Sequence, residues 1–165
     1  MKLAISKHNA SIKKMDNVAQ VEPRCNCRGG SANCPVGGQC QRDKVIYRAA
    51  VTDNNNNTEY YTGLTSRKFK KRWYEHRNDT TNLKKRHATS LSNHIWTLKE
   101  ENMQFTTEWS LMDRAPPFNP ISRKCRLCLK EKLYIMYRPE NATHNKRSEN
   151  FSTCRHRLQG LLVNK

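Results

Sequence analysis

The chain has 165 residues, a net charge of +17 and only 35% hydrophobic residues, so one domain with a modest core is expected. Lys and Arg total 31 against 14 Asp and Glu, spread over the whole length, which points to a polyanionic partner, nucleic acid foremost. A merely solvated surface or an acidic membrane face is the plainer alternative.

No apolar run approaches the roughly 20 residues needed to span a bilayer. The opening MKLAISKHNASIKK lacks the apolar stretch of a secretory signal, so an intracellular chain without a membrane partner is expected. Residues 1–24 are polar, with AISKHNASIKKM as a short helix and NVAQVEP as a linker, and no function attaches to them. Residues 25–43 form a second segment, whose core CNCRGGSANCPVGGQC sets Cys25, Cys27, Cys34 and Cys40 among glycines and small polar residues. Nothing there can build a core, so the cysteines must order it.

The main domain is expected over residues 44–165. KVIYRAAV (44–51) and TEYYTGLT (58–65) read as strands, and DNNNN between them reads as a turn, because Asn and Asp tolerate the left-handed conformation. Ser66 is the expected N-cap of a helix in which Phe69 and Trp73 stand at i,i+4. SLSNHIWTLKEEN gives a second helix, with Leu91, Ile95 and Leu98 on one face. QFTTEWSLM alternates Phe105, Thr107, Trp109 and Leu111 as a third strand. APPFNP is a rigid loop, CRLCLKEKLYIMY a third helix ending before Pro139, and the tail is basic and less regular. The order β-β-α-α-β-α predicts a small α+β domain, a three-stranded antiparallel sheet flanked by helices.

This layout brings reactive groups together. Tyr47 and Tyr61 lie on paired strands, and Gly63 allows a backbone or phosphate to come close. Arg72 and His76, at i,i+4, share one helix face. Glu131 sits in the most apolar stretch of the second half. Phosphodiester hydrolysis needs an activated water, a cation facing the developing charge, and usually a metal held by carboxylate. Tyr or His could supply the base, Arg72 the phosphate clamp and Glu131 the metal anchor. Each residue also has an ordinary reading: strand tyrosines pack, and Arg and His on a basic helix face solvent.

Cys25, Cys27, Cys34 and Cys40 have the spacing C-x-C-x6-C-x5-C, and four thiolates suit a closed, tetrahedral structural Zn²⁺ site. Two disulfides or free thiols are the alternative. Cys125 and Cys128 form a C-x2-C pair, and Cys154 with His156 a C-x-H pair, which would complete a second Zn²⁺ set. A helical C-x2-C can also be plain core, since free cysteine is often buried.

The strands carrying VIY (45–47) and YTG (61–63), with Arg72 on the first helix and Glu131 on a later one, resemble the GIY-YIG nuclease family. More closely, VIYRA, FKKR…H, LSNHIWTLK, a tryptophan, CRLCLKEKLYI, NKRSE and CRH, in this order, look like the endonuclease domain of Penelope-like retroelements. There a cysteine cluster of the type CNCR…CPVGGQC precedes the nuclease. The likeness covers about residues 5–156. Val45 replaces the first glycine of the namesake motif and Thr62 the isoleucine of the second.

The resemblance implies a nuclear DNA endonuclease, dependent on Mg²⁺ or Mn²⁺, that nicks target DNA. The resulting 3′ end would prime reverse transcription, with a reverse transcriptase domain of a parent polyprotein and element RNA as partners. Tyr47 or Tyr61 would help deprotonate water while the other positions water or phosphate. Arg72 would stabilise the transition state, His76 would contact phosphate or assist proton transfer, and Glu131 would hold the catalytic metal. Asn145 would support the site, and Gly63, Lys70, Lys71, Lys146 and Arg147 would face DNA. A non-catalytic, zinc-stabilised nucleic-acid-binding module is the rival, and a disulfide-rich secreted cationic protein is a third class.

Overall fold

Strand β1 (Val45–Asp53) is the centre of the molecule, paired antiparallel with β2 (Thr58–Thr65) on one edge and β3 (Phe105–Arg114) on the other. The computed structural model describes residues 23–119, 122, 124–138, 140, 142–145, 154 and 156. Helices α1 (Phe69–Thr81) and α2 (Ser90–Glu100) join β2 to β3, and α3 (Arg126–Tyr137) follows. The expected mixed α+β domain with a three-stranded antiparallel sheet is what forms. Two-residue strands β4 (Phe118–Asn119), inside the expected rigid loop APPFNP, and β5 (Lys124–Cys125), beyond it, pair with each other, and Cys125, expected to open the third helix, ends β5 instead. AISKHNASIKKM, expected as a short helix, lies outside the described residues.

The β1 pattern explains the layers. Val45, Tyr47, Ala49 and Val51 are all buried on one face, as the period of two requires, against Phe69 of α1 and Leu91, Ile95 and Leu98 of α2. Ile46 points the other way and packs with Leu127 of α3 and Ala115. The sheet is therefore covered on both faces. The hairpin turn closes because the Asp53 carboxylate accepts from the Asn55 and Asn57 amides, at 2.8 and 2.9 Å, while Asn56 takes φ 62°.

The helix starts hold one correction. Ser66 does not cap α1, which begins three residues later with Lys68 at the N-cap and no side-chain bond there. Its first amides are satisfied from elsewhere: Phe69 N–H donates to the Arg42 carbonyl at 2.8 Å and Lys70 N–H to the Cys40 carbonyl at 2.7 Å. The cysteine segment thus serves as the cap. It also shares the main core, since Cys34, Val36 and Cys40 are buried with Tyr47 and Phe69. Helix α2 is capped locally, by a reciprocal Thr89–Ser92 box. Trp96 Nε1 donates to the Asp79 carbonyl at 3.0 Å, tying α2 to α1.

The edge of β2 is covered by the chain after α3. His144 N–H donates to the Tyr60 carbonyl at 2.9 Å, and Thr143 Oγ1 accepts from Tyr60 N–H at 2.8 Å. The Asn145 amide pairs with both backbone groups of Thr62 at 2.8 Å, Oδ1 accepting and Nδ2 donating. Side chains here imitate a neighbouring strand and blunt an open edge. No helix among the described residues is long and apolar enough to cross a membrane.

Gly63 pairs directly with Tyr47. A Cβ built at Gly63 would meet the Tyr47 hydroxyl oxygen at 2.5 Å and its ring carbon Cζ at 2.7 Å. The space expected to admit a phosphate is occupied by this phenol. Gly63→Ala is therefore expected to destabilise the fold by about 1–3 kcal/mol through overpacking. Denaturant titration would read this as a lower midpoint at constant slope, and an unchanged midpoint would refute the close fit.

Candidate active site

Tyr47 brings β1 and α1 together through one buried oxygen. Arg72 Nε donates to the Tyr47 hydroxyl at 3.0 Å, and His76 Nε2 lies 2.7 Å from the same atom. Arg72 and His76 project from successive turns of α1 toward β1, as their spacing predicts. The bonding pattern assigns the protons. Arginine can only donate, so the phenol hydrogen needs a different acceptor, and His76 Nε2 is the one in reach. His76 is therefore neutral with its hydrogen on Nδ1, an atom that is buried without a hydrogen-bond partner.

The electrostatics agree with that assignment. Burial, with the Arg72 charge beside it, pushes the His76 imidazole down to about 3. Burial pushes the Tyr47 phenol up to about 12, although Arg72 acts against the rise. The Glu131 carboxylate adds to that rise, so its charge is felt at the Tyr47 oxygen. Arg72 is held firmly protonated: burial opposes its charge, but Tyr47, Tyr61 and Glu75 outweigh it.

Most of the expected residues meet here. The Tyr61 ring lies 6.5 Å from that of Tyr47 and 5.7 Å from that of His76. Glu131 is half-buried on α3, which packs along β2 and β1. Asn145 does not reach into the cluster. It acts from behind, holding the Thr62 backbone between Tyr61 and Gly63. Lys70 departs from its expected role, because its ammonium binds the Asn26 carbonyl and Oδ1 at 2.9 and 2.8 Å. It fastens α1 to the cysteine segment, whereas Lys71 is exposed. Lys146 and Arg147 lie outside the described residues.

Glu75 was not anticipated. It accepts from Arg72 Nη1 at 3.1 Å and lies 2.7 Å from Arg67 Nη2, so it braces the guanidinium from the outer side. The i,i+3 spacing of Arg72 and Glu75 was the available signal. Trp109 was expected only as a strand residue, yet its ring lies 5.3 Å from His76 and 6.0 Å from Tyr47, closing the cluster from β3.

Both cysteine sets converge. Sγ of Cys40 lies 3.5 Å from that of Cys25 and 3.7 Å from that of Cys27, and all four ligand atoms, Cys34 included, fall within 4.8 Å of one another. A tetrahedral zinc with bonds of about 2.3 Å would hold its sulfurs about 3.8 Å apart. The thiols are free, not paired as disulfides. Burial works to raise the Cys34 thiol, but backbone N–H groups of Val36, Gly38 and Cys40 bring it down to about 7. Such N–H groups suit a thiolate ligand. In the second set, Cys128 lies 3.4 Å from Cys154, and His156 Nδ1 is 3.5, 3.2 and 3.7 Å from Cys125, Cys128 and Cys154. Either set could hold a structural metal such as zinc.

Compared with known proteins, the chain matches no family model, no curated protein and no solved structure.

A neutral, buried His76 has a consequence for stability. Its pKa is lowered on folding, so protonation favours the unfolded chain, and stability should fall as pH drops from about 6.5 toward about 3. His76→Gln should show a shallower loss over this window in denaturant titrations at several pH values. Equal slopes would mean that His76 is not held neutral.

Proposed function

We propose that the chain is a metal-dependent DNA endonuclease of the GIY-YIG type, with structural zinc in both cysteine sets. The observation that carries this reading is the cluster in which Arg72 and His76 meet at the Tyr47 oxygen, with the Glu131 charge acting on the same atom. Packing alone gives a poor account of it, because a core would not select a half-buried cation, a partnerless imidazole nitrogen and a nearby carboxylate.

Each residue has work in strand cleavage. Arg72 offers a fixed positive charge to the pentavalent phosphate, already oriented by Tyr47 and Glu75. Tyr47, enclosed and donating its hydrogen to a neutral His76, holds the Arg72 guanidinium in place for the phosphate. Tyr61, on the same sheet face, holds the water or the phosphate. Asn145 keeps the strand between Tyr61 and Gly63 straight.

A half-buried single carboxylate such as Glu131 fits Mg²⁺ or Mn²⁺, which hold most of their coordination with water and phosphate oxygens. When bound there, the ion would neutralise phosphate charge and ease departure of the leaving oxygen. The net charge of +17 supplies sequence-independent attachment to DNA. The resemblance extends the proposal to nicking in the nucleus, with the 3′ end priming reverse transcription by a polymerase of the same element on its RNA.

Incubation with supercoiled plasmid and Mg²⁺ is expected to give nicked circles. Glu131→Ala and Arg72→Ala should each slow nicking by about 100-fold or more, and Tyr47→Phe should do likewise. Band shift without nicking in the unaltered chain would favour the non-catalytic binder. Chelation at neutral pH is expected to lower the melting temperature by roughly 10 °C or more, each kcal/mol being worth about 2–4 °C in a chain this long. It should also expose the cysteines to thiol reagents. Thiols equally reactive before and after chelation would exclude the zinc.

A further inference from the structure

A third group of ligand atoms lies apart from both cysteine sets. Glu59 on β2, His94 on α2 and His144 after α3 bring one donor atom each to within 4.8 Å of one another. The two imidazoles lie face to face, with centroids 3.8 Å apart and planes inclined by 37°. Glu59 Oε2 is 2.6 Å from His144 Nε2. That contact lacks the alignment of a hydrogen bond, and the nitrogen is buried without a hydrogen-bond partner.

An ordinary ion pair does not explain the arrangement. Burial, with His94 adjacent, lowers the His144 imidazole to about 4, and burial also lowers His94. One carboxylate oxygen and two imidazole nitrogens thus converge within 4.8 Å, and the buried His144 Nε2 has no hydrogen-bond partner among them. The missing component is a cation. Two imidazole nitrogens and one carboxylate oxygen suit a borderline cation such as zinc, with a fourth position left for water. The Glu59 side chain is 47% exposed and that of His144 only 14%, so an ion can enter from the Glu59 side and be held against the core.

We propose that Glu59, His94 and His144 form a zinc-class metal site that fastens the chain after α3 to the edge of β2 and to α2. The role follows from the neighbours of His144. Its own amide binds the Tyr60 carbonyl, and the next residue, Asn145, clasps the Thr62 backbone beside Gly63. These bonds, with that of Thr143 to Tyr60, close the edge. A metal at His144 fixes them from a strand and a helix at once. The site stands on its own geometry and does not depend on the nuclease reading.

The test counts zinc on the intact chain after equilibration with excess Zn²⁺ and removal of loose metal. A His94→Gln, His144→Gln double variant is expected to carry one equivalent less than the unaltered chain. Glu59→Gln, at an exposed position where folding should survive, is expected to weaken that equivalent by about ten-fold or more, since even losing a partner of a ligand costs 10–100-fold. Cobalt should identify the equivalent lost, because binding there adds no thiolate-to-metal charge-transfer band. Equal zinc content in all three folded proteins would overturn the proposal, as would loss of an equivalent with thiolate signature.

Discussion

A single phenol oxygen on the central strand meets two side chains of helix α1. Tyr47 stands on the central strand, fully enclosed, and its hydroxyl takes a hydrogen bond from Arg72 and gives one to His76. Without it, Arg72 Nε and His76 Nε2 would each lose this partner in the interior. Room for the phenol exists only because its cross-strand neighbour is glycine. The interior of the domain is thus built around a polar centre, with Phe69 and Trp109 packed against the same ring. That choice costs stability that an apolar core would have kept, and small polar cores of this sort are concentrated where proteins do chemistry.

The orientation of α1 decides whether Arg72 and His76 can reach that oxygen, and α1 does not start itself. Its first amides are bound by the carbonyls of Cys40 and Arg42, and Lys70 reaches back to Asn26. Cys40 therefore has two tasks, one through its sulfur and one through its backbone. Any metal that draws Cys25, Cys27, Cys34 and Cys40 together also fixes the cap of the helix bearing the guanidinium. The cysteine segment precedes β1 in sequence and reaches across in space to the first turn of the helix that bears Arg72 and His76.

The strands and helices were legible in the sequence because their signals are local. The alternation of β1, the Asn-rich turn and the Leu91, Ile95, Leu98 stripe each depend on neighbours only. The convergence of Tyr47 with Arg72 and His76 followed from the hairpin and the i,i+4 spacing. Apart from the short β4–β5 pair and Glu75, the departures come from distant contacts. Ser66 looks like a cap, yet carbonyls from residues 40 and 42 take that place. Lys70 looks like a phosphate ligand until Asn26 is brought beside it. Gly63 looks like an opening, and the phenol fills it. His94 and His144 are separated by fifty positions, and neither carries a ligand-like spacing, so their contact was invisible until β2, α2 and the returning chain were placed together.

The same logic of outside anchoring applies to the carboxylate. Helix α3 is short and two-faced, with Leu127 and Ile135 buried while Leu129, Leu133 and Met136 are exposed. Packing of so narrow a stripe would leave its axis poorly determined. Polar contacts at its start and along its length help to fix it, among them Leu127 N–H to the Pro116 carbonyl at 3.0 Å. The Cys125 sulfur caps its first turn by accepting from Cys128 N–H at 3.5 Å, and Lys130 binds Asp113 of β3 at 2.7 Å. Glu131 follows immediately, so its position is set by a cysteine set behind it and an ion pair beside it. Guanidinium and carboxylate are thus presented by two helices, each held at its start by cysteines. In a chain with so modest a core, such staples give the opposed charges a fixed separation that hydrophobic packing alone would not supply.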